Sequence, residues 1–359
     1  MKTILLVTMI AYTCGNIYLF VRSLQQFSPL PLWGKVAFGI LFWVMALALF
    51  IAIGARDVAI PEMVAHTLFR VGSVWMVFLL YMVLSLLVVD VIHLALPHFG
   101  GFYYALGFTI CLLIYGNWNY HHPRIENIEI EIEKPLAKPL RVVAVSDIHL
   151  GYGTDKKALQ KYVALINEQQ PDIILIGGDL IDNSVKPVRA QRMQEELQEL
   201  KASQGVYMAM GNHEYISGVK ECSALLEDTP IGLLRDSIVT LNSGIQIIGR
   251  DDRTNPKRRP LEELVAECDK TKPIIVIDHQ PYALAEADSL GVDFQFSGHT
   301  HRGQVFPLNL LMDRIYEQSH GYRHWSHAHI YVSSGLSLWG PPFRIGTYSD
   351  IAVITIKGR

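Results

Sequence analysis

The sequence predicts an α/β domain of helix-covered sheets, preceded by a helical region embedded in a membrane. Hydrophobic residues make up 50% of the 359 residues and the mean hydropathy is +0.23, which is high for a wholly water-soluble chain. Long apolar runs fill the first 120 residues, whereas short β-branched runs alternate with helical patterns from residue 141 onward. We therefore predict a transmembrane helical region over 1–120, a linker with a first strand over 121–139, and the α/β domain over 140–359.

The N-terminal region contains four apolar runs, which are Ile4 to Phe20, Val36 to Ala55, Val71 to Leu94 and Phe102 to Trp118. Each run approaches or exceeds the about 20 residues that a helix needs to cross a bilayer. The first run also resembles the apolar part of a signal peptide, but no A-x-A-like cleavage site follows it, and we interpret it as an uncleaved helix. The sequence thus predicts about four transmembrane helices.

The charges in the short loops predict the orientation of these helices. Four crossings place both ends of the region on one side of the membrane, and the side with more lysine and arginine is cytoplasmic. The basic residues on that side are Lys2, Arg56, Arg70 and Arg124, and those on the opposite side are Arg22 and Lys35. We therefore expect an integral membrane protein whose α/β domain is cytoplasmic.

Charge and cysteine content exclude several classes of protein. The net charge is −3 and no stripe of lysine or arginine is present, so nucleic acid is not an expected partner. The four cysteines are scattered and form neither a disulfide framework nor a CxxC zinc pattern. We expect four free thiols, and the sequence makes no prediction of the oligomeric state.

The α/β region contains five apolar runs that each end in polar residues. These runs are LRVVAVSD, PDIILIGGD, GVYMAMGNH, KPIIVIDHQ and VDFQFSGHT. Helices are predicted between them over Lys156 to Gln169, Val188 to Ser203, Val219 to Glu227 and Leu261 to Cys268. Nearly continuous apolar strands are typical of sheets that are buried on both faces.

The polar residues at the five strand ends are candidate metal ligands. They are Asp147, His149, Asp179, Asn212, His213, His279, His299 and His301. Ligands of α/β sheets collect at the carboxyl ends of strands, so these side chains can converge on one site. Imidazoles with carboxylates and an amide oxygen, without thiolate, suit manganese, iron or zinc in open sites. A carboxylate such as Asp179 can bridge two ions about 3.5–4 Å apart, the arrangement used in phosphate ester hydrolysis.

Five ordered motifs carry a family resemblance, namely DIHLG at 147–151, GGDLID at 177–182, GNHE at 211–214, DHQP at 278–281 and GHTHRGQ at 298–304. The chain from about residue 140 onward resembles the calcineurin-like metallophosphoesterase superfamily. Its C-terminal segment SSGLSLWGPPFRIGTYSDIAVITI is similar to that of the bacterial membrane-associated YkuE-like branch. The resemblance implies a four-layer α-β-β-α sandwich after the membrane region, and a location in the bacterial inner membrane.

The resemblance also implies a role for each residue of the site. Asp147, His149 and His301 would hold one divalent metal ion, Asn212, His279 and His299 would hold a second, and Asp179 would bridge the two. His213 would be catalytic, as an acid towards the leaving oxygen or as a stabiliser of transition-state charge. Arg302 would add a cation at the rim or simply be solvated, and Arg344 would contact substrate or brace the final strand.

These features together predict a membrane-anchored dinuclear phosphohydrolase that cleaves phosphodiester or pyrophosphate bonds with a metal-activated hydroxide. Anchoring at a bilayer favours a lipid-linked substrate, although the helices would equally tether an enzyme that acts on soluble phosphoesters. An alternative from another class is a membrane sensor or small transporter with a hydrolase-derived regulatory domain. A degenerate ligand set would favour that alternative, and none of the ligands is missing.

Two further clusters of polar residues are expected to lie at the surface. Arg250, Asp251, Asp252 and Arg253 form a mixed-sign patch that we interpret as a surface loop. His320, His324, His327 and His329 have a spacing that fits no single helix or strand face, and we predict a polar loop near the rim of the site.

Overall fold

The computed structural model describes residues 2–54 and 61–359, and the chain forms two compact units. The first unit comprises residues 1–118 with 340–343, and the second comprises residues 119–339 with 344–359. The loop cation Arg56 and the end of the second apolar run at Ala55 lie outside the described residues.

The N-terminal region is helical. Its helices are α1 (Lys2–Gln26), α2 (Leu32–Gly54), α3 (Glu62–Ala95) and α4 (Phe102–Tyr120). Among the described residues, two segments, Leu32–Gly54 and Met63–Ala95, are long and apolar enough to cross a membrane. The prediction that α1 and α4 also cross the bilayer stays a prediction.

Polar contacts tie α1 to α3 within this region. The indole N–H of Trp75 donates to Asn16 Oδ1 at 2.9 Å, and both residues are buried. Near the other end of α1, the hydroxyl of Tyr18 donates to Asp90 Oδ2 at 2.5 Å, and Arg22 forms an ion pair with the same carboxylate. Because hydrogen bonds between helices offset the cost of polar groups in apolar surroundings, these contacts stabilise the packing of α1.

The second unit is built on two six-stranded sheets. The strands are β1 (Arg124–Ile132), β2 (Leu140–Val145), β3 (Ile173–Ile176), β4 (Val206–Ala209), β5 (Ile231–Leu234), β6 (Ser237–Thr240), β7 (Gln246–Gly249), β8 (Ile274–Ile277), β9 (Phe294–Ser297), β10 (Gly321–His324), β11 (His329–Val332) and β12 (Asp350–Gly358). The first sheet has the order β1-β12-β2-β3-β4-β5 and the second has the order β10-β11-β9-β8-β7-β6. Within them, β2 to β5 are parallel, as are β7, β8, β9 and β11.

Helices cover the outer faces of both sheets. The helices of this unit are α5 (Lys156–Glu168), α6 (Val185–Ala190), α7 (Gln194–Leu197), α8 (Asn212–Ser217), α9 (Val219–Leu226), α10 (Leu261–Ala266), α11 (Leu284–Leu290) and α12 (Leu308–Ile315). Successive side chains of a strand point to opposite faces. Accordingly, Val143 of β2 packs in one core with Leu159 of α5, whereas its neighbour Val142 packs with Phe296 of the second sheet. The far side of the second sheet packs on Leu264 of α10. The predicted four-layer α-β-β-α arrangement is confirmed.

Two local predictions in this unit are wrong. The helix predicted from Val188 to Ser203 is interrupted between α6 and α7, because Arg192 adopts a left-handed backbone conformation (φ 54°) that a continuous helix does not allow. Within the predicted histidine loop, His324 and His329 instead pair across a β10–β11 hairpin, and His327 lies in its turn. The hydroxyl of Tyr322 lies 2.7 Å from His329 Nδ1, which pairs the two strands through their side chains as well.

Candidate metal centre

Five strands of the second unit deliver the candidate ligands to one place. Asp147 and His149 follow β2, Asp179 follows β3, and Asn212 and His213 open α8 just after β4. His279 follows β8, and His299 and His301 follow β9 in the second sheet. The backbone N–H of His299 donates to Asp147 Oδ2 at 3.0 Å, which links the strand ends of the two sheets directly. The structure thus brings all eight side chains together.

Asp147, His149 and His301 form the first group of donor atoms. The Nε2 atoms of the two imidazoles are 3.1 Å apart. Asp147 Oδ1 lies 3.3 Å from His301 Nε2 and 3.8 Å from His149 Nε2. Two imidazole nitrogens and a carboxylate oxygen therefore converge on one point, which is the geometry of a metal site.

Asp179, His279 and His299 form the second group, and Asn212 joins it. His279 Nε2 lies 3.2 Å from Asp179 Oδ2 and 3.1 Å from Asn212 Oδ1. The same Oδ2 atom of Asp179 is 3.9 Å from His149 Nε2, which belongs to the first group. One carboxylate oxygen thus lies between the two groups.

His213 lies against the first group but has a different environment. Its ring meets that of His149 edge-on with 4.6 Å between centroids, and it also falls in a third group of donors with His149 and Asp179. Its Nδ1 is 2.6 Å from the carbonyl oxygen of Asp182 and 3.3 Å from the Asp182 carboxylate. Burial disfavours the imidazolium, but the hydrogen bond to Asp182 and the nearby carboxylates outweigh burial and raise the pKa of His213 to about 9.

Several donors are held in strained backbone conformations. The φ angles are 56° at Asp147, 50° at His149, 51° at Asp179, 71° at His299 and 46° at His301. Residues with a β-carbon avoid this left-handed region, at a cost of about 1–3 kcal/mol each, unless the surrounding structure enforces it. The concentration of such residues at three of the five strand ends marks this region as a functional site.

The glycines that precede the ligands allow the strand ends to approach one another closely. Gly178 has φ 90°, and a β-carbon there would lie 2.7 Å from the backbone nitrogen of Gly211 and 2.8 Å from His279 Nδ1. A β-carbon on Gly211 would in turn overlap the carboxylate of Asp179. The close approach of the backbone at these two positions therefore requires glycine. The requirement is stricter than that of an ordinary turn.

The buried carboxylate of Glu214 supports the site, and the sequence reasoning assigned it no role. Its Oε2 accepts the backbone N–H groups of Asp179 and Gly211 at 3.0 and 2.8 Å, and its Oε1 accepts that of Ile181 at 3.0 Å. Glu214 is the third residue of α8 after the cap Gly211, so the capping-box spacing in GNHE was a readable signal. Glu214 fixes the turns that present Asp179 and Asn212.

The donor set fits transition-metal ions. Burial lowers the pKa of His301 to about 3 and that of His299 to about 4, so both imidazoles are neutral, the form that binds metal. Nδ1 of His279 donates to the carbonyl oxygen of Gly177 at 2.7 Å, which orients its Nε2 towards Asp179. Oriented, neutral imidazoles with buried carboxylates and no thiolate suit manganese, iron or zinc.

The two predicted substrate-binding arginines differ in environment. Arg344 is fully buried, and its guanidinium donates to the carbonyl oxygens of His301, Gly335 and Ser337 at 2.7, 2.9 and 3.2 Å. This geometry favours the bracing role over direct substrate contact. Arg302 is half-buried, with its guanidinium carbon 5.8 Å from the ring centre of Tyr348.

Arg250, Asp251 and Asp252 are buried, so the interpretation of this patch as a surface loop is wrong for these three residues, whereas Arg253 is exposed. Asp251 and Asp252 are only 2% and 1% exposed. Arg250 pairs with Asp278 at 3.0 Å, and Gln280 donates to Asp252 Oδ2 at 2.8 Å. These partners flank His279 in the DHQP motif. The buried charged residues of the patch are therefore paired with the segment that carries this candidate ligand.

Comparison with known proteins places this geometry in a family. The profile of the calcineurin-like phosphoesterases matches residues 140–303. An uncharacterized metallophosphoesterase of Helicobacter pylori is 33% identical over 261 residues, which are 70% of this chain and 70% of the relative. A transmembrane protein with metallophosphoesterase domain from Danio rerio is 35% identical, covering 70% of this chain and 62% of the relative. The uncharacterized metallophosphoesterase YkuE of Bacillus subtilis is 29% identical, covering 68% of this chain and 90% of the relative.

The identities, the extent of the shared region and the two-sheet fold agree with one another. The chain belongs to the calcineurin-like metallophosphoesterase family.

Proposed function

We propose that the protein is a membrane-anchored, dinuclear metal-dependent phosphoesterase that hydrolyses phosphodiester or pyrophosphate bonds. The observation that carries the proposal is the position of Asp179 Oδ2, which lies 3.9 Å from His149 Nε2 of one donor group and 3.2 Å from His279 Nε2 of the other. One group, Asp147, His149 and His301, would hold one ion, the group of Asn212, His279 and His299 would hold a second, and Asp179 would be shared. Manganese, iron and zinc suit these donors.

Two divalent ions, when bound, supply positive charge to the phosphate and activate a water molecule as the nucleophile. The chain itself supplies a proton donor. The carbonyl oxygen and the carboxylate of Asp182, 2.6 and 3.3 Å from His213 Nδ1, favour the protonated form of this imidazole. Such an imidazolium would donate its proton to the leaving oxygen, as a general acid.

We propose a lipid-linked phosphodiester or pyrophosphate as the substrate. The two apolar segments of the N-terminal region support anchoring, and a Danio rerio relative is itself named a transmembrane protein. An enzyme held at a bilayer meets lipid substrates at high local concentration. The loop charges support a cytoplasmic position of the catalytic unit, and the similarity to bacterial relatives supports a bacterial inner membrane as the location.

The experiment that tests the chemistry is turnover of bis(p-nitrophenyl) phosphate by the detergent-purified full chain with added manganese. Replacing Asp179 with alanine removes the shared carboxylate and is expected to lower turnover by at least about 1,000-fold. Asp228→Ala, at an exposed acidic residue, is the matched control and should leave turnover unchanged. Full activity of Asp179→Ala would refute the metal assignment.

His213→Asn separates the proton donor from the metal ligands. Loss of a general acid is expected to lower turnover by about 100- to 10,000-fold while the metal content stays at the level of the unaltered chain. A loss of metal together with activity would instead make His213 a ligand. The substrate class is tested by comparing phosphomonoesters, soluble phosphodiesters and lipid pyrophosphates, of which the last should give the highest kcat/KM.

A further inference from the structure

Helix α12 and the residue just before its cap expose most of the large apolar side chains at the surface of the second unit. All of residues 119–359 are described, and among them the exposed large apolar residues are Ile216, Tyr282, Phe306, Leu308, Leu310, Leu311, Ile315 and Tyr322. Most of these lie between 306 and 315, in one short helix and the residue that precedes its first turn. Single exposed apolar residues are ordinary on a protein surface, whereas a contiguous group marks a binding surface.

The polarity of α12 is reversed relative to that of a helix on a water-exposed surface. Asn309 is only 9% exposed, whereas its neighbours Leu310 and Leu311 are 53% and 50% exposed. A surface helix in water directs its apolar residues towards the core and its polar residues outward. The apolar face of α12, defined as Phe306, Leu308, Leu310, Leu311 and Ile315, is therefore built to contact something other than water.

Size and charge favour a bilayer over a protein as that partner. An eight-residue helix is about 12 Å long, and a patch of this length falls well short of the about 800 Å² per partner that a stable dimer buries. The exposed charged residues at its C-terminal end, Asp313, Arg314 and Glu317, carry both signs and no net positive charge, so the attraction is apolar. Amphipathic helices of this kind lie in the lipid–water interface.

The N-terminal region contains the segments that would hold the chain at a bilayer. The segments Leu32–Gly54 and Met63–Ala95 have the length and composition of membrane spans. The last of them ends 29 residues before β1 begins at Arg124, so the second unit stays tethered close to the membrane that these segments would cross. Tethering raises the effective concentration of lipid around α12, which makes even a small apolar surface sufficient for docking.

The helix is also connected to the metal centre at both ends. It begins four residues after Gln304, the last residue of GHTHRGQ. It ends directly before Tyr316, whose ring packs edge-on against His299 with 6.3 Å between centroids and lies 5.0 Å from the ring of Tyr282. A wall of two tyrosines therefore joins the exposed apolar face to a residue of the second donor group.

We propose that the apolar face of α12 docks into the lipid–water interface of the bilayer that anchors the chain, and that the wall of Tyr282 and Tyr316 leads from this interface to the metal centre. The docking rests on the anchoring part of the proposed function and is independent of its chemistry. A lipid-linked phosphate would then reach the site without leaving the interface.

The test measures the depth of α12 in reconstituted vesicles of phosphatidylethanolamine and phosphatidylglycerol. In a full chain whose four native cysteines are replaced, Leu311→Cys carries an environment-sensitive fluorophore, and Lys161→Cys on the exposed face of α5 is the control. Lipids with a nitroxide near the top of the acyl chain should quench the label at 311 at least about three-fold more strongly than the label at 161. Introducing Leu310→Glu should reduce the quenching at 311 to the level of the control.

Two results would overturn the proposal. A label at 311 that aqueous iodide quenches and the nitroxide lipids do not would show that the face stays in water. A label shielded from both quenchers would show that protein covers it, either a second copy or another part of the chain. Extraction with alkaline carbonate reports anchoring separately, and turnover of a soluble phosphodiester reports the chemistry separately, so failure of the docking is distinguishable from failure of either.

Discussion

The helical unit buries single polar side chains between helices, whereas the α/β unit gathers its buried polar side chains at the ends of five strands. In the helical unit, Asn16 accepts one bond from Trp75, and Ser73 is buried with no partner for its hydroxyl. In the α/β unit, the single carboxylate of Glu214 accepts three backbone N–H groups. The buried carboxylate of Glu214 thus has more hydrogen-bond partners than either of these buried side chains of the helical unit.

This difference indicates which polar side chains contribute most to the stability of each unit. Burying a polar group without a partner is costly, so the three N–H groups that converge on Glu214 depend on its carboxylate. The α/β unit thereby holds a set of carboxylates and imidazoles in strained backbone conformations that these residues would not adopt alone. Removing one member of that cluster should therefore cost more than removing a polar contact between helices.

The largest loss of stability is expected for Glu214→Ala, which leaves the N–H groups of Asp179, Ile181 and Gly211 buried without an acceptor. Each unsatisfied buried group costs about 1–3 kcal/mol, so the free energy of unfolding should fall by about 3 kcal/mol or more. Thermal unfolding and metal content of the purified chain measure the effect, with exposed Glu227→Ala as the control. A melting temperature equal to that of the control variant would contradict the role of Glu214.

A somewhat smaller effect is expected for Arg344→Met, which keeps the volume and removes the donors to the carbonyl oxygens of His301, Gly335 and Ser337. The free energy of unfolding should fall by about 2–4 kcal/mol, because the carbonyl groups lose charge-assisted bonds in a buried place. Arg302→Met, at the half-buried neighbour of the site, is the comparison. An Arg344→Met chain of normal stability but strongly raised KM would instead assign Arg344 to substrate binding.

The smallest effect is expected in the helical unit, for Arg22→Ala. Its ion pair with Asp90 joins α1 to α3, and polar contacts between helices in apolar surroundings are worth about 1–2 kcal/mol or less. A double-mutant cycle with Asp90→Asn, followed by thermal unfolding in detergent, isolates the pair. Hydrolysis of a soluble phosphodiester should not change. A cost equal to that of Glu214→Ala would break the comparison between the two units.

Much of the α/β unit could be predicted because its signals are local. Apolar runs that end in Asp, Asn or His define a strand and its terminal ligand within one short segment, as for Asp179 after β3. The four-layer arrangement followed from the resemblance to a family. In the N-terminal region the signal is also local, because the length and apolar composition of two segments predicted α2 and α3.

Features that depend on contacts distant in sequence could not be predicted. The burial of Asp252 depends on Gln280, 28 positions away, and nothing in the segment around Asp252 reveals that partner. The break at Arg192 depends on a backbone conformation that the helical pattern does not encode. The exposure of Leu311 is likewise a tertiary property, since its sequence pattern is that of an ordinary amphipathic helix.

The central claim is that one carboxylate, that of Asp179, is shared by two divalent metal ions. Elemental analysis of the full chain, purified after growth with manganese, iron and zinc, tests it most directly. We expect about two transition-metal ions per chain, and a loss of both in Asp179→Asn because each ion then lacks the carboxylate that the two share. A single ion per chain, or two ions that Asp179→Asn leaves in place, would contradict it.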